Sequence, residues 1–145
     1  MTYYWDTRRE IRELRARVEQ AFRAAQQQER VCRPAGMLAP VVDLMSDERG
    51  LVVLVDLPGV ARDDVEVQVE RGALVISGTK QMDDGDENPV VLRRERAYGT
   101  FSRTIPLPDE ADLSQVTAKL RHGELEVRIP RLAEAGVRKV EVVVE

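Results

Sequence analysis

The sequence predicts an all-β domain preceded by a helical arm, and three observations predict it. From Pro40 onward, short runs rich in β-branched residues recur, several of them alternating apolar and polar positions. Pairs containing Gly or Pro punctuate these runs. Ahead of Pro40 the apolar residues instead recur at helical steps.

A chain of 145 residues fits one core with an appendage, since a single domain uses about 100 to 150 residues. Hydrophobic residues make up 43% and charged ones 33%, enough to bury a core beneath a very polar surface. The net charge of −4 is unevenly spread: residues 1–36 hold eight Lys/Arg against five Asp/Glu, and the remainder holds fourteen against twenty-one. An acidic body is a poor polyanion binder, because nucleic-acid affinity comes from Lys and Arg at phosphates. Cys32 is the only cysteine, which excludes an intramolecular disulfide or a cysteine-rich zinc site, and its ordinary reading is a free surface thiol. The first turns carry arginines instead of a signal-peptide core, and no run approaches the roughly 20 apolar residues that span a bilayer. A soluble, cytoplasmic protein with no membrane partner is expected.

In the arm, Thr7-Arg8-Arg9-Glu10 has the form of a capping box, and Ile11, Leu14, Val18, Ala21 and Ala25 follow at three- and four-residue steps. Residues 7–28 read as one amphipathic helix. Trp5 and Phe22 add aromatic bulk to an element with no sequence neighbour to cover it, so it is expected to pack on a partner chain or a client, or to move. Gln26 to Arg30 and Pro34-Ala35-Gly36 form a linker.

Eight strands are expected in the body: Val41–Leu44, Leu51–Asp56, Val65–Glu70, Ala73–Ser77, Val90–Arg94, Thr100–Ile105, Val116–Leu120 and Leu125–Ile129. Arg71-Gly72 and His122-Gly123 each separate two of them as a tight hairpin would. Pro58-Gly59 suits a type II turn. No helix of normal length fits after residue 40. The division is 1–36 for the arm and linker, 37–130 for the β domain and 131–145 for a C-terminal extension.

Catalytic chemistry lacks its residues. His122 is the only histidine and sits in a hairpin turn, no Ser-His or Cys-His arrangement is supported, and no phosphate loop links a strand to a helix. No catalytic residue, metal site or cofactor is therefore expected. Asp84, Asp86, Asn88 and Glu95 fall at four ligand positions of an EF-hand loop, but Pro89 stands where that loop needs Gly for its sharp turn. A solvated acidic loop is the better reading. Arg96-Ala97-Tyr98-Gly99-Thr100-Phe101 partly echoes an aromatic RNA-stacking strand. A single-stranded nucleic-acid-binding β module is thus the alternative from a different class, although the RNA-recognition fold needs two helices that the body does not offer.

Six ordered motifs resemble the α-crystallin domain of small heat-shock proteins, bacterial type, over about Pro40 to Pro130. Pro40-Val41-Val42-Asp43-Leu44 resembles the opening strand, Asp56-Leu57-Pro58-Gly59-Val60 with Asp63-Asp64-Val65 the D-L-P-G turn, and Leu74-Val75-Ile76-Ser77-Gly78 the L-x-I-x-G strand. Arg94-Glu95-Arg96-Ala97-Tyr98-Gly99-Thr100-Phe101-Ser102-Arg103 resembles R-E-R-x-Y-G-x-F-x-R. Leu107-Pro108 follows, and Ala118 to Leu125 fits A-x-x-x-x-G-x-L.

The resemblance implies an immunoglobulin-like antiparallel β-sandwich that works as a homodimer and an ATP-independent holdase for partly unfolded client proteins. Nucleic acid is not an expected partner. In bacterial-type relatives the segment after the acidic loop inserts into the partner's sheet. Here that segment is Val90, Val91, Leu92, Arg93 and Arg94, with Glu95 and Arg103 as charged interface candidates; an ordinary strand in its own sheet is the less favoured alternative. A hydrophilic loop, Gln81 to Pro89, precedes it and is long enough to let it leave. Candidate client- or tail-binding groove residues are Val65, Val67 and Val69 with Val116, Ala118 and Leu120. Alternation puts each trio on one strand face, and that face is read as sandwich core for most of the six. Client capture by the arm implicates Trp5, Ile11, Leu14, Val18 and Phe22.

The end of the chain departs most from the family pattern. Relatives carry an I-x-I motif that docks in a neighbour's groove, whereas Val140-Glu141-Val142 is the nearest match here. Each Ile-to-Val change in a snug pocket loses about 0.5–1.5 kcal/mol, so two weaken docking by about 1–3 kcal/mol, or roughly five- to 150-fold. Val143 and Val144 also allow the end to add a strand to its own sheet. Dimers and small, readily dissociating assemblies are the expected result. Replacing Val140 and Val142 by Ile should raise the assembly size in light scattering coupled to size exclusion, and replacing both by Gly should lower it only slightly. A stable shell of about a dozen subunits that collapses on the Gly replacement would contradict the energetic argument.

Overall fold

The computed structural model describes residues 7–32, 37–82, 85 and 89–132. Trp5, the acidic-loop residues Asp84, Asp86 and Asn88, the side chain of Cys32, and Val140 and Val142 lie outside the described residues. One helix, α1 (Thr7–Cys32), precedes seven strands: β1 (Val42–Asp47), β2 (Gly50–Asp56), β3 (Val65–Glu70), β4 (Ala73–Lys80), β5 (Gly99–Pro106), β6 (Thr117–Arg121) and β7 (Glu124–Pro130). They form an antiparallel sandwich, one sheet ordered β1-β2-β7-β6 and the other β3-β4-β5.

Burial follows the strand period. In β7, Leu125, Val127 and Ile129 are buried, while Glu126 and Arg128 face outward and pair with each other. Strand β2 sits inside its sheet between β1 and β7, and its run Leu51-Val52-Val53 is buried without a break. The facing sheet contributes Leu74, Ile76, Phe101 and Ile105. Fully burying each aliphatic side chain is worth about 1.5–3 kcal/mol, so these residues dominate the stability of the fold.

Both expected hairpins form. Arg71 and Gly72 have φ of 49° and 75°, and His122 and Gly123 have 49° and 78°. Two consecutive positive φ values define the type I′ turn, whose twist matches that of the paired strands. Leu57, Pro58 and Gly59 close as expected, with the amide of Val60 donating to the Leu57 carbonyl at 3.3 Å.

Two expectations are revised. The segment Val90–Arg94 is not a strand within the chain's own sheets, leaving seven strands where eight were expected. The reason lies at β5, the strand it leads into, whose two edges are already taken. Strand β5 pairs with β4 along its whole length, and its other edge takes Leu38, whose amide donates to Thr100 at 2.9 Å and whose carbonyl accepts from Ser102 at 3.3 Å. The second revision concerns α1, which runs on to Cys32 through the Gln26-to-Arg30 stretch expected as linker and finds its cover on its own domain: Phe22 packs against the core cluster and Arg17 reaches Glu110.

Gly78 lies at the tightest approach in the sandwich. A Cβ there would stand 2.0 Å from the Asp64 carbonyl oxygen and 2.6 Å from Cζ of Phe101. The backbone entering β3 and the Phe101 ring thus both occupy space that only glycine leaves free. Gly78→Ala should lower stability by about 1–3 kcal/mol or more, read as a reduced urea midpoint at unchanged slope.

Candidate functional site

Cross-strand register decides which apolar residues of the edge strands can be reached. Val65 pairs with Gly78, Val67 with Ile76 and Val69 with Leu74. Their partners Ile76 and Leu74 are fully buried, so all three valines belong to the inner rows of the smaller sheet. On β6, Ala118 aligns with Val127 and Leu120 with Leu125, again inner-row positions. Sandwich core was the expectation for most of the six, and they lie on the inner face at shallow depth. None of the six residues is buried: Val65, Val67, Val116 and Leu120 pack partly against the core, and Val69 and Ala118 are exposed. The cause is position, because β3 and β6 each end a sheet and have a neighbour on one side only.

Those two edges share one side of the sandwich. Residues 38–40 run beside β5 and pass directly into β1, which places the β1 and β5 edges together. The remaining edges, β3 and β6, therefore bound the opposite side. Beside these two edges lie the partly covered Val65, Val67, Val116 and Leu120, next to the buried Leu74, Ile76, Leu125 and Val127.

A second apolar surface precedes β5. Val90 is 85% exposed and Leu92 95%, with Val91 half-exposed between them. The charged residues after them fall into separate settings. Arg93 pairs with Glu95 at 2.8 Å. Arg94 and Arg96 lie over the Tyr98 ring, 5.9 and 5.4 Å from its centre, with Lys80 Nζ at 5.6 Å. Arg103 takes an inner-row position on β5 opposite Ile76, and its guanidinium donates to the Pro40 carbonyl at 3.3 Å. Arg103, a charged interface candidate from the sequence, thus anchors within its own chain the segment that leads into β1. The aromatic motif gives no RNA-stacking platform, since Phe101 is buried against Gly78 and only Tyr98 is partly accessible.

The arm residues are also placed by register. Leu14, Val18, Ala21, Phe22 and Ala25 are half-buried on one face of α1, and Ile11 is 60% exposed. Val18 and Phe22 flank a shallow depression with Leu44 of β1. Arg17 Nη2 donates to Glu110 Oε1 at 2.8 Å. That hydrogen bond, first among several causes, holds the Glu110 carboxyl below its ordinary range and raises the Arg17 guanidinium above its own. Sequence reasoning missed this pair, and no local pattern signals a contact between residues so far apart in the chain. Among the described residues no cluster of His, Cys, Asp or Glu has a metal-binding arrangement, and no helix is long and apolar enough to cross a membrane.

Comparison with known proteins matches residues 43–143 to the model of the Hsp20/alpha crystallin family. Small heat shock protein C4 of Rickettsia felis is 31% identical over 106 residues, covering 73% of this chain and 65% of that protein. The 17.7 kDa class II heat shock protein of Arabidopsis thaliana is 39% identical over 98 residues, 66% of this chain and 63% of that one. The chain thus spans somewhat less than two thirds of the length of these relatives. Among solved structures, a small heat-shock protein from Xylella fastidiosa superposes with a TM-score of 0.66 at 35% identity, covering 76% of this chain and 100% of that one. HspA from Xanthomonas axonopodis gives 0.59 at 39% identity, covering 66% and 95%.

The Arg17–Glu110 pair sets an acid limit on helix docking. Because the folded carboxyl titrates below its unfolded value, its contribution is complete above the unfolded value and is lost as pH falls through the folded one. Docking should therefore be insensitive to Glu110 near neutrality and loosen only below the usual glutamate range of about 4.3. A carboxyl NMR titration of Glu110 alongside amide exchange of α1 checks this, and Glu110→Gln should remove the part of the loosening that follows Glu110.

Proposed function

The chain belongs to the Hsp20/alpha crystallin family, and from that premise we propose that it is an ATP-independent holdase that binds partly unfolded proteins and prevents their aggregation. The observation that carries this reading is the set of half-covered apolar side chains Val65, Val67, Val116 and Leu120 at the β3 and β6 edges, which would line a groove between them. An unfolding client exposes apolar surface, and covering it on such a groove removes that surface from water. Groove binding needs no covalent step, and the arm stripe of Leu14, Val18 and Phe22 offers a second apolar face. Trp5 extends the same proposal to the first residues. The Val140-Glu141-Val142 segment is a competing occupant of the groove, weaker than an I-x-I motif for the reason already given.

The same reading assigns the working unit as a homodimer built by strand exchange. Val90-Val91-Leu92 is an exposed apolar β-type segment, and β1 ends its sheet with one edge unpaired by any strand among the described residues. An exposed apolar segment and an open ladder satisfy each other when they come from two copies. Arg93, Arg94 and Glu95 would then flank the exchanged strand. Arg103, tied to the Pro40 carbonyl, would position the entry to β1.

Two measurements test the proposal. The purified protein without nucleotide should suppress light scattering by a heated or reduced client at near-stoichiometric ratio; no suppression, together with salt-sensitive shifts of single-stranded RNA, would favour the nucleic-acid alternative. Val91→Pro removes one ladder donor and should weaken the dimer, raising the monomer fraction in sedimentation at low micromolar concentration. A variant as dimeric as the wild type would count against strand exchange.

A further inference from the structure

Three cations gather on one aromatic ring at the entry to β5. Lys80 Nζ, from the end of β4, lies 5.6 Å from the centre of the Tyr98 ring, and the guanidinium carbons of Arg94 and Arg96 lie at 5.9 and 5.4 Å. A ring has two faces, so at least two of the three cations share one. Like charges gathered this way repel, and each contact with an exposed ring offsets the repulsion by a factor of only roughly two to five.

The turn after β2 flanks the same cluster. A Cβ at Gly59 would stand 3.6 Å from Cε of Lys80 and 3.9 Å from Nη2 of Arg96. Ring and turn therefore fix these two side chains where a carboxylate ordinarily would. Among the described residues neither Lys80 nor Arg96 has an ion pair. The Asp64 carboxylate, beside the end of β4, accepts from Gln81 Nε2 at 3.2 Å. Other arginines of the body differ in this respect: Arg71 pairs with Glu70, Arg93 with Glu95 and Arg128 with Glu126.

The cluster is also within reach of a ligand. Arg94 and Arg96 are exposed, and Lys80 and Tyr98 are half-buried. From this convergence we propose that Lys80, Arg94 and Arg96, gathered on Tyr98, form a binding site for a linear inorganic oligophosphate. Guanidinium and ammonium donors are the groups that hold phosphate oxygens. Three positive charges exceed the roughly −1.5 to −2 of a single phosphate group, and a chain of linked phosphates supplies the difference. Cations already lie over the ring, where a nucleobase would have to stack. The fit is therefore to a phosphate chain that carries no base. The site is independent of the holdase reading and stands or falls by itself.

Calorimetric titration of the full-length chain with inorganic tripolyphosphate, in metal-free buffer, tests the assignment. Wild type should bind saturably, and more weakly as salt rises. Lys80→Gln/Arg96→Gln should weaken binding about tenfold or more. Lys119→Gln/Arg121→Gln, which removes the same charge from β6, should leave it within about twofold of wild type. Tyr98→Leu should weaken binding about three- to tenfold, whereas Tyr98→Phe, which keeps the ring, should change it by less than about twofold. Orthophosphate should bind at least about tenfold more weakly than tripolyphosphate.

No saturable binding up to about 1 mM, or an equal loss in the two double variants, overturns the site. A loss in Tyr98→Phe as large as in Tyr98→Leu overturns the part given to the ring. Orthophosphate bound as tightly as tripolyphosphate would mean an adventitious ion only and overturns the oligophosphate assignment. Tighter binding of a single-stranded oligonucleotide than of a phosphate chain of the same length overturns the choice of a ligand without bases.

Discussion

Two open sheets can bury their inner faces against each other, but they cannot hide their edges, and that constraint organises this molecule. The inner rows are continuous across each sheet: Leu44, Val53, Val127 and Ala118 form one, and Val69, Leu74 and Ile105 another. At the centre of these rows Val53, Val127, Leu74 and Ile105 are inaccessible to water. At the ends the same kind of side chain is only half covered. Edge residues are thus apolar by the demand of the core and accessible by the geometry of the sheet.

The two sides of the sandwich meet this constraint differently. On the β1/β5 side the chain covers itself: Leu38 takes the edge of β5, Arg103 fastens Pro40, and Phe22 packs on the core cluster from α1. On the β3/β6 side no described element lies over Val65, Val67, Val116 and Leu120. That asymmetry supports the proposed division of labour, in which one side holds the arm and the other offers a groove.

Charge plays a secondary part in stability and a larger one in arrangement. The ion pairs of α1, Arg9–Glu13 and Arg15–Glu19, are exposed i,i+4 pairs, each worth a few tenths of a kcal/mol, roughly 0.3–0.5. Arg17–Glu110 is no stronger in kind, yet it joins segments that no backbone ladder connects. The cations around Tyr98 likewise gather from β4 and the segment before β5 at the entry to β5.

Much of this fold was legible in the sequence because its signals are local. Alternation marks β3, β4 and β7, two-residue turns fix the β3–β4 and β6–β7 hairpins, and a three- and four-residue apolar period marks α1. The motif glycine at position 78 was legible as a marker, but its cause, the Asp64 carbonyl and the Phe101 ring crowding the same space, belongs to the packed sandwich. The sequence by itself determined the seven observed strands, their hairpins and which faces are apolar, because each depends on neighbours one to four positions away. Tertiary structure alone decided that Val65, Val67, Val116 and Leu120 lie at sheet edges and stay half open, that Val90–Arg94 stays outside its own sheets, and that Arg17 meets Glu110. Those outcomes depend on strand order and on contacts between residues far apart in the chain, which no local period encodes.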